Sequence, residues 1–123
     1  MNTISLSEGT GRTKISLSAQ LMGKDLIVCI FNEQGHLGAV AVSEYSEEEK
    51  RASTSVITRR GHKDDSVAYR AAYELCKHLK EPVCVIAGIH VDHITSEEIT
   101  QITRNCDRLV DTLSGQLAFA SSQ

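Results

Sequence analysis

The chain has no tryptophan, a single proline and only 4% aromatic residues. Surfaces that stack nucleic-acid bases are built from aromatic side chains, so this scarcity argues against such a platform. Basic residues do not gather either. The 13 Lys and Arg are outnumbered by 16 Asp and Glu, the net charge is −3, and no long basic tract offers a stripe for a phosphate backbone. No apolar run approaches the roughly 20 residues that cross a bilayer. The first residues, Met1, Asn2, Thr3 and Ile4, lack the basic-then-apolar pattern of a signal peptide, so a cytoplasmic location is expected. The cysteines Cys29, Cys76, Cys84 and Cys106 form no Cys-x-x-Cys pair and lie in apolar patterns. Buried free thiols are expected of them, not a disulfide set or a zinc site. A nucleophile elbow, a P-loop and a complete dinucleotide fingerprint are also missing.

What is present is an ordinary soluble composition, 41% hydrophobic and 24% charged over 123 residues. That is enough for one core, and one domain over residues 1–123 is expected. Ile4 and Leu6 suggest a short first strand, and Ile15, Leu17, Ala19 and Leu21 alternate with polar residues as a strand with one wet face. Residues 26–31 are apolar throughout, and residues 37–42 form a further strand, so a meander with hairpin connections is expected. Residues 43–50 are polar and acidic and read as a surface loop, and residues 52–58 as another strand. Ala68, Ala71, Ala72, Leu75 and Leu79 fall on one stripe of a helix that Asp64 or Asp65 can cap. Pro82 separates that helix from an apolar strand over 83–89.

A second helix then opens on a complete signature. Thr95 and Glu98 make a capping box, and Ile94 and Ile99 stand where a hydrophobic staple would sit. Ile99, Ile102, Cys106, Leu109, Val110 and Leu113 form its stripe, Gly115 is the expected stop, and the tail from Gln116 is a short extra segment or loose. The fold class is therefore α+β, a mostly antiparallel sheet of about six strands with two long helices on one face. Strands 26–31, 37–42 and 83–89 are apolar on both sides, and such strands need both faces covered. Two helices cover one face, so a homodimer packed sheet on sheet is expected.

Reactive side chains gather at two strand-to-helix corners. One holds Arg59, Arg60, Gly61, His62, Lys63, Asp64 and Asp65; the other holds His90, Asp92 and His93. The loop with His36, beside Gly38, is a third contributor. In an extended stretch His90 and Asp92 project to the same side with Val91 inward, a pair that suits a divalent cation, while His93 joins only if the chain bends. The bland alternative is a loop-bonding Asp92 and a solvated His93. Arg59, Arg60 and Lys63 suit a phosphate. Yet Asp64, Asp65, Glu97 and Glu98 at the helix starts oppose a bare anion there. Solvated helix caps are the competing explanation.

Three segments together resemble the small prenylated-flavin chaperones of the LpdD type, which accompany gallate decarboxylases. They are His36-x-Gly38-Ala39-Val40-Ala41, then Gly61-His62-Lys63-Asp64-Asp65, and Ala87-Gly88-Ile89-His90-x-Asp92-x-Ile94-Thr95 with Glu98-Ile99. The resemblance covers nearly the whole chain. It implies a fold similar to proteasome-assembly chaperones, dimerised through the sheet, and a non-catalytic carrier. Its cargo would be reduced prenylated FMN, supplied by a flavin prenyltransferase and delivered to a UbiD-type decarboxylase for aromatic acids. The implied cofactor-binding residues are His36, Arg59, His62, Lys63, Asp64, His90 and Asp92, with a divalent cation at His90 and Asp92 as an option. Val40, Val42, Ile57 or Tyr45 are candidates for an apolar slot for the ring. Two other functions stay open: a small metal-dependent enzyme using His90, Asp92 and His62, and an assembly chaperone without a small ligand.

Overall fold

A computed structural model of the chain describes residues 3–59 and 64–122. Strands β1 (Thr3–Glu8), β2 (Ile15–Met22), β3 (Asp25–Phe31), β4 (Ala39–Ser46) and β5 (Arg51–Thr58) precede helix α1 (Asp65–Leu79). Strand β6 (Val83–Gly88) and helix α2 (Ser96–Ser122) complete the chain, and a single 3-10 turn, Gly11–Thr13, links β1 to β2. The six strands form one sheet in the order β1-β2-β3-β6-β4-β5. All neighbours are antiparallel except β3 and β6, which run parallel with Ile27 opposite Cys84 and Phe31 opposite Gly88.

The expected meander therefore breaks after β3. Strand β6, apolar on both sides, enters between β3 and β4, the most protected place in the sheet, and β4 pairs with β6 instead of with β3. Strand β4 also runs on through Ser43 to Ser46, so half of the expected acidic loop is strand. Ser43 is fully buried there and hydrogen-bonds the Thr54 hydroxyl across the β4–β5 pair.

Alternation along the strands sorts their side chains onto two faces. Ile15, Leu17, Val28, Ile30, Ala41, Val83 and Val85 point to one face and share a core with Ala68, Ala72 and Leu75 of α1 and Leu109 and Leu113 of α2. Both helices thus cover the same face. The other face carries Ile27, Cys29, Phe31, Val40, Val42, Cys84, Ile86 and Ile57, in register across β3, β6, β4 and β5. Among the described residues nothing covers it, and Phe31, Val42 and Ile57 are 41%, 47% and 76% exposed.

The helix ends hold three corrections. Helix α2 does not stop at Gly115 but continues to Ser122. Leu113 and the partly buried Leu117 pack on the core on either side of the glycine, which offsets its cost of about 1 kcal/mol in a helix. Ile99 is exposed rather than part of the buried stripe, and so is its proposed staple partner Ile94. Asp64, at the start of α1, makes no side-chain cap.

Candidate functional site

Topology brings the reactive corners to one end of the sheet. Because β3 and β6 are parallel, both finish at the same edge. Their antiparallel neighbours place the end of β1, the starts of β2 and β4 and the end of β5 there as well. The 3-10 turn, the 32–38 loop, Arg59 after β5, Asp64 before α1 and the β6–α2 corner therefore meet. In open sheets the crevice beyond the carboxyl ends of parallel strands is a common ligand site.

The loops are held by backbone contacts that only small residues permit. A Cβ on Gly88 would collide with the His36 carbonyl, and one on Gly38 with the Asp64 carboxylate. Gly38 N–H donates to the Ala87 carbonyl (2.9 Å), and Arg59 closes the same loop from outside through its backbone N–H to the Gly38 carbonyl (2.7 Å) and its guanidinium to the Leu37 carbonyl (2.9 Å). Asn32, buried at the end of β3, clasps the backbone of His90 at both groups: it donates to the carbonyl (2.8 Å) and accepts from the N–H (3.0 Å). Asp64, only 6% exposed, turns inward and accepts from the Ile89 N–H at 3.2 Å. Satisfying this part-buried backbone amide outweighs the capping preference of that aspartate.

Side chains of three loops then face one another. The His36 and His90 rings lie 5.7 Å apart between centroids, tilted by 31°. His90 Nε2 is 2.8 Å from Asp92 Oδ1. The bond to His90 holds the Asp92 carboxyl below its ordinary range. The chain does bend at His93, whose φ is +52°. Even so, the described residues contain no group of three or more His, Cys, Asp or Glu placed to hold a metal ion. His90 and Asp92 spend their facing atoms on each other.

An arginine outside every sequence motif ties this corner to the 3-10 turn. Arg12 bridges Glu98 at 2.7 Å and donates to the Asp92 carbonyl at 2.6 Å. Its hydrogen bond draws the Glu98 carboxyl down to about 2, helped by the Thr95 N–H, and the guanidinium is stabilised in turn. The capping box is complete: Glu98 Oε1 accepts from Thr95 N–H at 3.0 Å and Thr95 Oγ1 accepts from Glu98 N–H at 3.1 Å. Glu98 thus serves the cap and Arg12 together.

A cleft of about 810 Å³ opens beside these groups, lined by Arg12, Lys14, Phe31, Asn32, His90 and Asp92 among others. Its size is within the usual range for a cofactor site. A groove of about 370 Å³ between the helices is spanned by the Arg70–Asp107 pair at 3.0 Å and lies apart from the histidines. Of the candidate residues, the structure gathers His36, Arg59, Asp64, His90 and Asp92 at one corner. His62 and Lys63 lie outside the described residues. Val42 and Tyr45 do not reach the cleft: β4 carries them away from it, and Tyr45 sits under Lys80 at 5.7 Å. Lys14, Arg12, Asn32 and Phe31 are the residues sequence reasoning missed. Their signal is spatial, since Arg12 and Glu98 stand 86 positions apart. All four cysteines are free, and burial raises the thiols of Cys76, Cys84 and Cys106, the last to about 12.

Comparison with known proteins bears on the whole of this arrangement. The family model for the prenylated flavin chaperone LpdD-like domain matches residues 9–118. No curated protein matches the sequence. Among solved structures, a chain from the crystal structure of a novel chaperone complex for yeast 20S proteasome assembly has the same fold, with a TM-score of 0.64 at 13% identity, covering 95% of this chain and 99% of that one. No helix among the described residues is long and apolar enough to cross a membrane.

Proposed function

From the premise that this chain belongs to the family of prenylated flavin chaperones with an LpdD-like domain, we propose that it binds reduced prenylated FMN as cargo. It takes the cofactor from a flavin prenyltransferase and hands it to an apo UbiD-type decarboxylase acting on aromatic acids. It works in the cytoplasm as a homodimer and catalyses no reaction itself. The observation that carries this reading is the convergence of the family-like segments around His36, Asp64 and His90 on one corner beside an 810 Å³ cleft.

The groups present suit such a ligand. A phosphate is a dianion near neutral pH, and Lys14 and Arg59 supply positive charge at the two sides of the corner. His36, His90 and Asp92 offer donors and acceptors for a ribityl chain. Phe31 gives the ring an apolar, stackable wall. Glu98 lies opposite Arg12 and neutralises it, so Lys14 rather than Arg12 is the cation of the cleft. A cleft open to solvent fits a carrier, which must release what it holds.

Anaerobic titration with reduced prenylated FMN, with and without a divalent cation, tests the proposal. Saturable binding with a spectral change is expected, together with faster activation of an apo-decarboxylase. Absence of binding under strictly anaerobic conditions would refute it.

A further inference from the structure

Two residues belong at once to the cleft and to the uncovered face of the sheet. Ser16 and Phe31 are cross-strand partners on β2 and β3, and both line the cleft beside His90 and Asp92. Lys14, two positions before Ser16 and so on the same side of the chain, lines it too. The cleft is therefore walled on one side by the helix-side loops and runs out onto the open face on the other. A flavin ring lying on Phe31 would keep one side in water.

The open face is built to be covered. Its centre is Cys29, Ile86 and Val40 in one row and Ile27, Cys84 and Val42 in the next. Strand positions on this face carry only three charges, Asp25, Glu44 and Arg51, all at the end far from the cleft. Six strands spaced about 4.8 Å, with about seven residues each at 3.3 Å, span roughly 29 by 23 Å, or about 670 Å² in projection. That approaches the roughly 800 Å² that each partner gives to a stable interface. A two-fold contact sets a patch against itself, which a neutral apolar centre tolerates and a charged one does not. The same neutrality offers nothing for a charged partner to complement.

We propose that a second copy of this chain seats on the open face and roofs the cleft, so that the cofactor site is composite and forms fully only in the dimer. Lys14, His90 and Asp92 of one copy hold the polar end, and the ring lies between Phe31 and the sheet of the other copy. The proposal rests on the flavin reading above. Ligand binding and dimerisation are then linked: each strengthens the other, and separation of the copies releases the cargo.

Val42→Glu places a charge in the middle of the face, two rows from the cleft. Ser55→Glu, on the edge strand opposite Val42, brings a charge onto the same face without replacing an apolar residue and serves if the first variant misfolds. The wild type is expected to be a dimer by light scattering and to bind reduced prenylated FMN, with reduced FMN as the plain-flavin comparison. Each variant is expected to be a folded monomer with at least tenfold weaker binding. A monomeric variant that binds within twofold of wild type overturns the composite site and leaves the flavin reading intact. A wild type that binds neither flavin refutes the flavin reading and the composite site with it. Alkylation provides a ligand-free check on the interface. Cys29 and Cys84, half-buried on the open face, should react several-fold faster on dilution below the dimer dissociation constant, while the buried Cys76 and Cys106 stay protected. Rates independent of concentration across the dimer-to-monomer range would overturn the second copy as occupant of this face.

Discussion

The two faces of the sheet are made from the same strands and live in different surroundings. Ile30 and Phe31 are adjacent in β3, yet Ile30 is fully buried under the helices and Phe31 stands at the mouth of the cleft. Val85 and Ile86 repeat the contrast in β6. The helix-covered face is closed within one chain and gives the fold its core. The open face is equally apolar in the middle strands but has no cover among the described residues. One face holds the folded core; the other stands outside it.

That division is testable by substituting neighbours. Ile30→Ala opens a cavity in the covered face and should cost about 2–5 kcal/mol, the usual range for an isoleucine deleted from a closed core. Urea unfolding should show this loss equally at low and high protein concentration. A concentration-dependent loss would mean that the core and the open face are not separate units.

Asn32→Ala comes next in size, at the junction between the faces and the site. It removes two part-buried hydrogen bonds to His90 and leaves its backbone N–H and carbonyl without that partner. A cost of about 1–3 kcal/mol is expected from chemical denaturation, with freer motion of the His90 ring in NMR. An unchanged His90 resonance would show that the clasp does not position the corner.

How much of this was legible in the chain depends on the distance over which each signal acts. The capping box was fully legible, because Thr95 and Glu98 are three positions apart and the helix alone sets their geometry. The two-sided apolar pattern of β3, β4 and β6 was legible too. The place of β6 was not. Hairpin reasoning joins neighbours in sequence, whereas β6 reaches β3 across two strands and a helix. Asp64 reads as a helix cap on local preference, and only the fold reveals the Ile89 amide that claims it. Gly115 reads as a stop, but packing of Leu113 and Leu117 carries the helix through it. The candidate residues that carry a local motif, His36, His90 and Asp92, could be picked out, and the fold brings them to one corner. Arg12, Lys14 and Asn32, placed by pairing of distant strands, could not.

A smaller effect sits at the end of the sheet, away from both faces. Glu98 is held down to about 2 from an ordinary value of 4.5 by Arg12. A carboxyl depressed on folding stabilises the native state above its unfolded value and loses that contribution as pH falls toward its folded one. The Arg12–Glu98 contribution is thus complete above about pH 5 and fades between about 4.5 and 2. Glu98→Gln should flatten the acid limb of a stability-versus-pH curve in that window. A limb identical to wild type would remove Glu98 as the source.

The smallest expected effect on folding carries the most about the open face. Ile57 is 76% exposed at the edge strand and lies outside the buried core, so Ile57→Thr should change the stability of an isolated chain by less than about 0.5 kcal/mol. If a second copy covers this face, the melting temperature of the wild type rises with protein concentration, because association draws on the folded state alone. The variant, having traded an apolar contact for a hydroxyl, should show a shallower rise while matching wild type at the lowest concentration. Parallel concentration curves for the two proteins would place Ile57 outside any interface and confine the association surface to β3, β6 and β4. A loss already present at high dilution would show that the edge of the open face contributes to the fold itself, and the contrast between the faces would narrow accordingly.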